Sequence, residues 1–305
     1  MKILLLGRNG QVGWELQRAL APLGELVALG SREADFGDLP ALAAVVRRHA
    51  PQVIVNAAAH TAVDRCESEP EKAMALNAAA PGLLAAEAAA LGAWLVHYST
   101  DYVFDGSGRT AWREDDPVGP LSVYGRSKLE GERAIRASGC RHLIFRTSWV
   151  YAARGGNFAR TMLRLAAERD ALRVIDDQVG APTGAELIAD VTAHALIAAT
   201  RAPERAGTYH LAASGSTSWH GYASHVLAFA RASGRASVKV PEGGIEAVST
   251  TAFPTPARRP LNSRLDCSKL QQAFALALPH WRAGVDRMLA EVLEATTGAS
   301  TAPTR

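Results

Sequence analysis

Tyr124 and Lys128 stand four apart in VYGRSKLEGERAI. The segment has the spacing of an amphipathic helix. Four residues is about one turn, so phenol and ammonium share a face. A phenol has an ordinary pKa of about 10 and is a poor acid–base catalyst at neutral pH. A cation beside it favours the phenolate and lowers that pKa. The pair is a proton donor for carbonyl chemistry if a cofactor and a substrate meet beside it. On a solvated helix the same spacing does nothing, so the elements around it decide.

The first of those elements is at the start of the chain. KILLLG reads as a short buried parallel strand. It runs into GRNGQVGWELQRALA, where Gly7, Gly10 and Gly13 are spaced G-x-x-G-x-x-G ahead of a helical segment. Strand, glycine turn and helix is the context of a dinucleotide fingerprint. Gly7 permits the turn, Gly10 lets the backbone approach a pyrophosphate, and Gly13 allows close helix–strand packing. The helix N-terminus offers N–H groups to the phosphates. A purely structural glycine turn is the alternative. The second strand, ELVALG, ends in Ser31 and Arg32 with no carboxylate, and Arg32 suits a 2′-phosphate, which leans towards NADPH over NADH. Glu33 and Asp35 follow closely and weaken that lean.

Strand and helix signals then alternate: PQVIVNAAA, a helical stretch from Glu69 to Leu91, AWLVHYSTDYVF, the Tyr124–Lys128 helix, and HLIFRTSWVY. This predicts an α/β fold with a doubly wound parallel (Rossmann) sheet. Ligands of such sheets bind at the carboxyl ends of the strands. Those ends carry Asn56-Ala57-Ala58-Ala59-His60, Ser99-Thr100-Asp101 and Thr147-Ser148-Trp149. Small residues let a cofactor lie close, and a Thr100 hydroxyl beside Tyr124 would polarise a carbonyl. Taken singly, Thr100 reads as a cap, Trp149 as core and His60 as a satisfied polar group.

Composition sets limits. The 305 residues suffice for one large or two moderate domains. The net charge of +3 does not argue for nucleic acid, despite a pI near 8.9. No stretch is expected to reach the roughly 20 apolar residues of a membrane helix. MKILLL continues into the glycine loop and is read as a strand, not a signal peptide. Cys66, Cys140 and Cys267 are scattered with no C-x-x-C, as in a cytoplasmic enzyme with reduced thiols.

In order along the chain, GRNGQVG, NAAAHTAVD, YSTDYVFDG, YGRSK and RTSWVY resemble the extended short-chain dehydrogenase/reductase superfamily. NAAAHTAVDRCESEP, HYSTDYVFDG, LIFRTSWVYA, DDQVGAPTGAELIAD and ARRPLNSRL resemble its dTDP-4-dehydrorhamnose reductase family, over essentially the whole chain except the tail. The resemblance implies reduction of the C4 ketone of dTDP-4-dehydro-L-rhamnose to dTDP-L-rhamnose with NADPH or NADH, the last step in supplying activated rhamnose for bacterial surface polysaccharide. It implies Gly10, Gln11 and Val12 at the pyrophosphate. It places Asp35 and Phe36 beside the adenosine half, and Ala59, His60, Thr61 and Tyr98 along the cofactor. It implies Thr100 and Asp101 at the substrate carbonyl, Tyr124 as proton donor, Lys128 as its partner on the nicotinamide ribose, and Trp149 as a wall against the sugar.

The same resemblance implies a dinucleotide-binding domain over 1–150 and a mainly nucleotide-sugar-binding domain over 151–295 with segments returning to the sheet; the last residues, 296–305, TTGASTAPTR, read as a flexible tail. Arg258, Arg259 and Arg264 in TPARRPLNSRL suit a diphosphate, or form a solvated basic loop. Glu15, Glu186 and Glu291 match positions of a Mg²⁺-linked homodimer, although solvated surface glutamates are the ordinary default. Two rivals stand beside this reading, the first sharing the glycine loop and the Tyr/Lys pair. One is a nucleotide-sugar dehydratase or epimerase; the dehydratases place Asp-Glu after the threonine, where this chain has Asp101-Tyr102. The other is a non-catalytic cofactor-binding subunit like the methionine adenosyltransferase β-subunit, against which the intact Thr100, Tyr124 and Lys128 speak.

Overall fold

The structure is a computed structural model that describes residues 1–299. Five parallel strands alternate with helices through the first half: β1 (Lys2–Leu6), β2 (Glu25–Leu29), β3 (Val53–Asn56), β4 (Trp94–Thr100) and β5 (Arg141–Thr147). A sixth strand, Gly207–His210, joins from the second half beside β5. The order across the sheet is β2-β1-β3-β4-β5 and then Gly207–His210, every pairing parallel. This is the doubly wound parallel sheet that the alternation predicts. β2 lies to one side of β1 and β3 to the other. The connections leave in opposite directions there, and a crevice opens at the carboxyl ends of β1 and β3.

Both faces of the sheet are buried, which is why its strands are nearly continuous apolar runs. Leu5, Val55, Val96 and Phe145 face one core, with Leu16, Ile188 and Leu196 from the helices Gln11–Leu20 and Ala185–Arg201. Leu4, Leu6, Ile54, Leu95 and Ile144 face the other, with Leu42, Val46, Leu84 and Ala88. The alternation follows from the two-residue period of a strand.

The run Pro70–Leu91 corrects one expectation. By length and composition it is apolar enough to cross a membrane, with a mean hydropathy of 1.4 over its window. Here it is a core helix of the sheet: Ala80, Leu84, Ala85 and Ala88 are buried, and Glu87 is paired with Arg47. Its Ala75–Ala79 turn is π-helical, a local widening that recurs at functional sites.

Beyond Tyr151 a second core forms between the helices Phe158–Glu168, Trp219–Ser233 and Trp281–Ala299 and the parallel strand pair Leu172–Ile175 and Ile245–Val248. Of the expected tail, 296–299 continue the last helix and 300–305 lie outside the described residues.

Candidate active site

The glycine loop joins β1 to the helix Gln11–Leu20 with the geometry its spacing demands. Gly7 has φ +87°, and a Cβ there would lie 2.7 Å from Ala58 N. A Cβ on Gly13 would overlap the carbonyl of Gly7. Gly10 is different: a Cβ would meet only Gly7 O, at 3.5 Å. Protein packing does not require glycine there, and its absence of a side chain leaves the backbone open to close approach by a ligand.

Two cavities flank this loop. One, of about 340 Å³, is walled by Gly7, Gly10, Ser31, Asp35, Phe36 and Ala59. It has the size and position for the adenosine half of a dinucleotide. Arg32 is exposed and does not line it, while Asp35 does. Arg32, the residue that leaned towards NADPH, thus stands away from this cavity, while Asp35, which weakened that lean, lines it. Arg8 is occupied nearby, bonding Ala28 O at 2.8 Å and Glu33 at 2.7 Å.

The other cavity, of about 690 Å³, is where the strand ends converge. Gln11, Val12, Ala59, Thr61, Tyr98, Thr100, Asp101, Tyr124, Lys128 and Trp149 all border it. His60 borders neither cavity; its Nε2 turns to Glu69, 3.2 Å away. The helix Val123–Ala137 delivers Tyr124 and Lys128, capped by Ser122, whose Oγ accepts from Gly125 N at 3.2 Å. It packs close enough that a Cβ on Gly131 would collide with Asn77 O. Asn77, fully buried in the π turn, accepts from His60 N at 2.8 Å. It donates to His60 O and Ser127 Oγ, both at 3.0 Å. It thus clasps the AAAHT loop to the helix that carries Tyr124 and Lys128, a role hidden in an alanine-rich run except as its one buried amide.

The Tyr124–Lys128 pair differs from its simplest expectation. Lys128 is 2 % exposed; its Nζ donates to Tyr98 O at 2.6 Å and lies 3.2 Å from His97 Nε2. Burial lowers its pKa to about 8, against the pull of Glu132. Tyr124 turns instead to Thr100. Burial pushes the phenol up, the Thr100 hydrogen bond opposes this in part, and the nearby Asp101 charge adds to the rise. Lys128 does not lower it in the ligand-free chain. A shared helix face brings two side chains to one cavity but does not aim them at each other.

Thr100 Oγ1 donates to Asp101 Oδ1 at 3.1 Å and accepts from Tyr102 N at 3.2 Å. Asp101 is 1 % exposed, and burial raises its pKa to about 6 against hydrogen bonds from Ser263 and Thr100. Its Oδ2 is buried with no protein partner, as is Thr147 Oγ1 at the end of β5. Unpaired buried oxygens on a cavity wall suit a polyhydroxylated ligand.

Trp149 occupies the left-handed region, at φ +48°, which is rare for a bulky residue. It stacks on Trp219, centroids 3.6 Å apart and 10° from parallel. Trp219 Nε1 donates to Gln178 Oε1 at 3.1 Å, and Gln178 Nε2 to Thr250 Oγ1 at 3.1 Å. Trp219 borders the cavity and was invisible in the sequence, since nothing local marks a contact seventy residues away.

The basic segment does not reach this cavity. Arg259 is tied to Asp64 at 2.7 Å, which holds that carboxyl below its ordinary range. Arg258 is exposed, and Arg264 bonds Asn262. Glu15, Glu186 and Glu291 do come together, on a separate cavity of about 590 Å³ with Asp190. Burial and then Glu186 raise the pKa of Glu15, with Arg18 opposing. Glu186 is paired with Arg287 at 2.7 Å. Among the described residues no group of three is spaced to hold a metal ion.

A glycine-loop crevice leading to a Tyr/Lys/Thr cavity, on a parallel sheet with a second lobe, defines a nicotinamide-dependent member of the extended short-chain dehydrogenase/reductases. The family described as RmlD substrate binding domain matches residues 1–294, and the chain belongs to it. The chain is 57% identical over 300 residues to a dTDP-4-dehydrorhamnose reductase of Shigella flexneri, covering 97% of this chain and 99% of that one. It is 56% identical to that of Escherichia coli K12, with the same coverage. Among solved structures, a dTDP-4-dehydrorhamnose reductase of Bacillus anthracis in complex with NADP is 32% identical with a TM-score of 0.85, covering 95% of this chain and all of that one. That of Clostridium acetobutylicum is 34% identical with a TM-score of 0.86, covering 96% and 99%.

Proposed function

We propose that the chain is an NAD(P)H-dependent dTDP-4-dehydrorhamnose reductase. It reduces the C4 ketone of dTDP-4-dehydro-L-rhamnose to dTDP-L-rhamnose, the last step of dTDP-rhamnose synthesis. The observation that carries the mechanism is one cavity bordered by Tyr124, Thr100, Asp101, Lys128 and Trp149 and opening on the glycine loop.

When bound, the nicotinamide supplies hydride to the ketone carbon. The chain supplies the rest. Tyr124 gives its phenolic proton to the ketone oxygen as charge gathers there. Thr100 holds the phenol, and Asp101, with a free Oδ2, takes a sugar hydroxyl. Lys128 anchors the nicotinamide ribose, and Trp149 backed by Trp219 walls the sugar. Gly10, Gln11 and Val12 cradle the pyrophosphate on a turn that Gly7 and Gly13 shape, and Asp35 and Phe36 border the adenosine. On this reading residues up to about 150 carry the cofactor, and residues 151–295 mainly carry the nucleotide-sugar.

Elimination fits less well. Among the described residues, Asp101 is the only carboxylate bordering the cavity. The next position holds Tyr102, edge-on to Tyr124. Mixing the purified chain with NADPH and the keto-sugar, and following nicotinamide absorbance, tests the assignment. Stoichiometric oxidation supports it; none rejects it.

The reading extends to assembly and place. Glu15, Glu186 and Glu291 on one cavity suit a hard cation only if a second copy adds ligands, since two of the three already face arginines. A Mg²⁺-linked homodimer loses mass in sedimentation when chelator is added; an unchanged mass removes the metal. A cytoplasmic location accords with three buried free thiols.

A further inference from the structure

His97 is 1 % exposed and borders neither of the two cavities beside the glycine loop, yet it lies against the lysine of the site. Its Nε2 is 3.2 Å from Lys128 Nζ and its Nδ1 is 3.1 Å from Asn56 Nδ2. Asn56 Oδ1 accepts the amide of Ala58 at 3.0 Å. A backbone amide only donates, so this bond fixes which end of the Asn56 side chain is oxygen. Asn56 therefore faces the imidazole with N–H, and Nδ1 must accept. A neutral imidazole that accepts at Nδ1 carries its proton on Nε2. Burial and then the charge of Lys128 hold the pKa of His97 well below its ordinary value, so the ring is neutral.

An ammonium has three donors and no lone pair. With Lys128 charged, N–H points at N–H. With Lys128 as an amine, its lone pair accepts from His97 Nε2–H while one N–H still serves Tyr98 O at 2.6 Å. The other charges nearby do not reverse this. Glu132, one turn along the same helix, favours the ammonium. Its carboxylate is already taken by Arg146 of β5, at 2.9 and 2.8 Å, and by Arg136 at 3.0 Å. Tyr124 turns to Thr100, and Asp101 is held by Ser263 and Thr100.

We propose that His97 is a positioning residue for Lys128: its Nε2–H, oriented by Asn56, opposes the ammonium, steers Nζ onto Tyr98 O and makes the lysine proton readily released. A lysine that exchanges its proton near neutrality is matched to reloading a phenol. That benefit rests on the function proposed above; the chemistry of the free chain does not.

The test begins with the ligand-free full chain. It has five lysines, of which only Lys128 is buried. With lysine labelled at Cε, one NMR resonance titrates apart from the other four, with a midpoint near pH 8, and Lys128→Met removes it. His97→Gln, which can present an accepting oxygen, moves that midpoint up by about one unit or more. The alkaline limb of kcat/KM moves with it. An unshifted midpoint in a folded His97→Gln overturns the proposal. Long-range ¹H–¹⁵N spectra of the unmutated chain read the tautomer without any variant. A His97 protonated at Nε2 supports the proposal, and one protonated at Nδ1 overturns it. Failure of these titrations leaves the reductase assay untouched, and failure of that assay leaves the titrations readable.

Discussion

Tyr124 is a loaded donor. Burial raises its pKa and Thr100 only partly offsets this, so the phenol keeps its proton throughout the neutral range. That state suits ketone reduction, in which the substrate oxygen gains charge and needs a proton. Tyr124→Phe removes the proton and little else. We expect kcat to fall by about 10² or more, with nucleotide binding, followed by fluorescence, unchanged. Near-normal turnover in that variant removes the assignment. Trp219 acts one step away. Its stack holds Trp149 in a backbone conformation that a tryptophan rarely adopts. An aromatic pair contributes about 1 kcal/mol beyond its area. Trp219→Ala should therefore raise KM for the sugar several-fold while kcat changes less, and Trp219→Phe should recover most of the loss. Equal falls in kcat and kcat/KM would instead place Trp219 at the transition state.

At the scale of elements, the glycine loop separates fold from function. A Cβ at Gly13 overlaps the Gly7 carbonyl, so the helix Gln11–Leu20 must move off β1. Gly13→Ala is expected to destabilise by about 1–3 kcal/mol and to weaken NADPH binding. Gly10→Ala meets only Gly7 O at 3.5 Å, so its melting temperature should hold while nucleotide affinity falls. Equal melting losses in both variants would refute this division. These glycines, the strands and the Tyr/Lys helix were legible because each is a local pattern: a turn that needs a positive φ, an apolar run, a four-residue step. Asn77, His97 and Trp219 were not. Their meaning lies in partners that only the fold supplies, such as His60 seventeen residues from Asn77 and Lys128 thirty-one residues from His97. Arg259 shows the converse, a residue whose type suits phosphate but which the fold spends on Asp64. Arg258 beside it stays exposed and does not border the cavity of the site.

At the scale of the whole molecule, the site carries a cost in stability that pH exposes. Lys128 is buried, and its pKa in the fold is about 8 against an ordinary 10.5. Below pH 8 both folded and unfolded chains carry the proton, and the penalty of burying the charge is constant. Between about 8 and 10.5 the unfolded chain holds the proton and the folded chain has released it, so this group makes stability rise with pH. The gap corresponds to about 3 kcal/mol at most. Buried tyrosines and cysteines with raised pKa values act in the opposite sense over the same range, so the comparison must be between variants. Lys128→Met keeps the stem and deletes the charge. Urea unfolding should find it more stable than the parent at pH 7, with the difference shrinking as pH rises from 8 towards 10, while turnover is largely lost. Stability gained where activity is lost marks a charge retained for chemistry. A difference that stays constant across that range would mean that Lys128 does not titrate there, and that the buried ammonium is stable in the fold without releasing its proton.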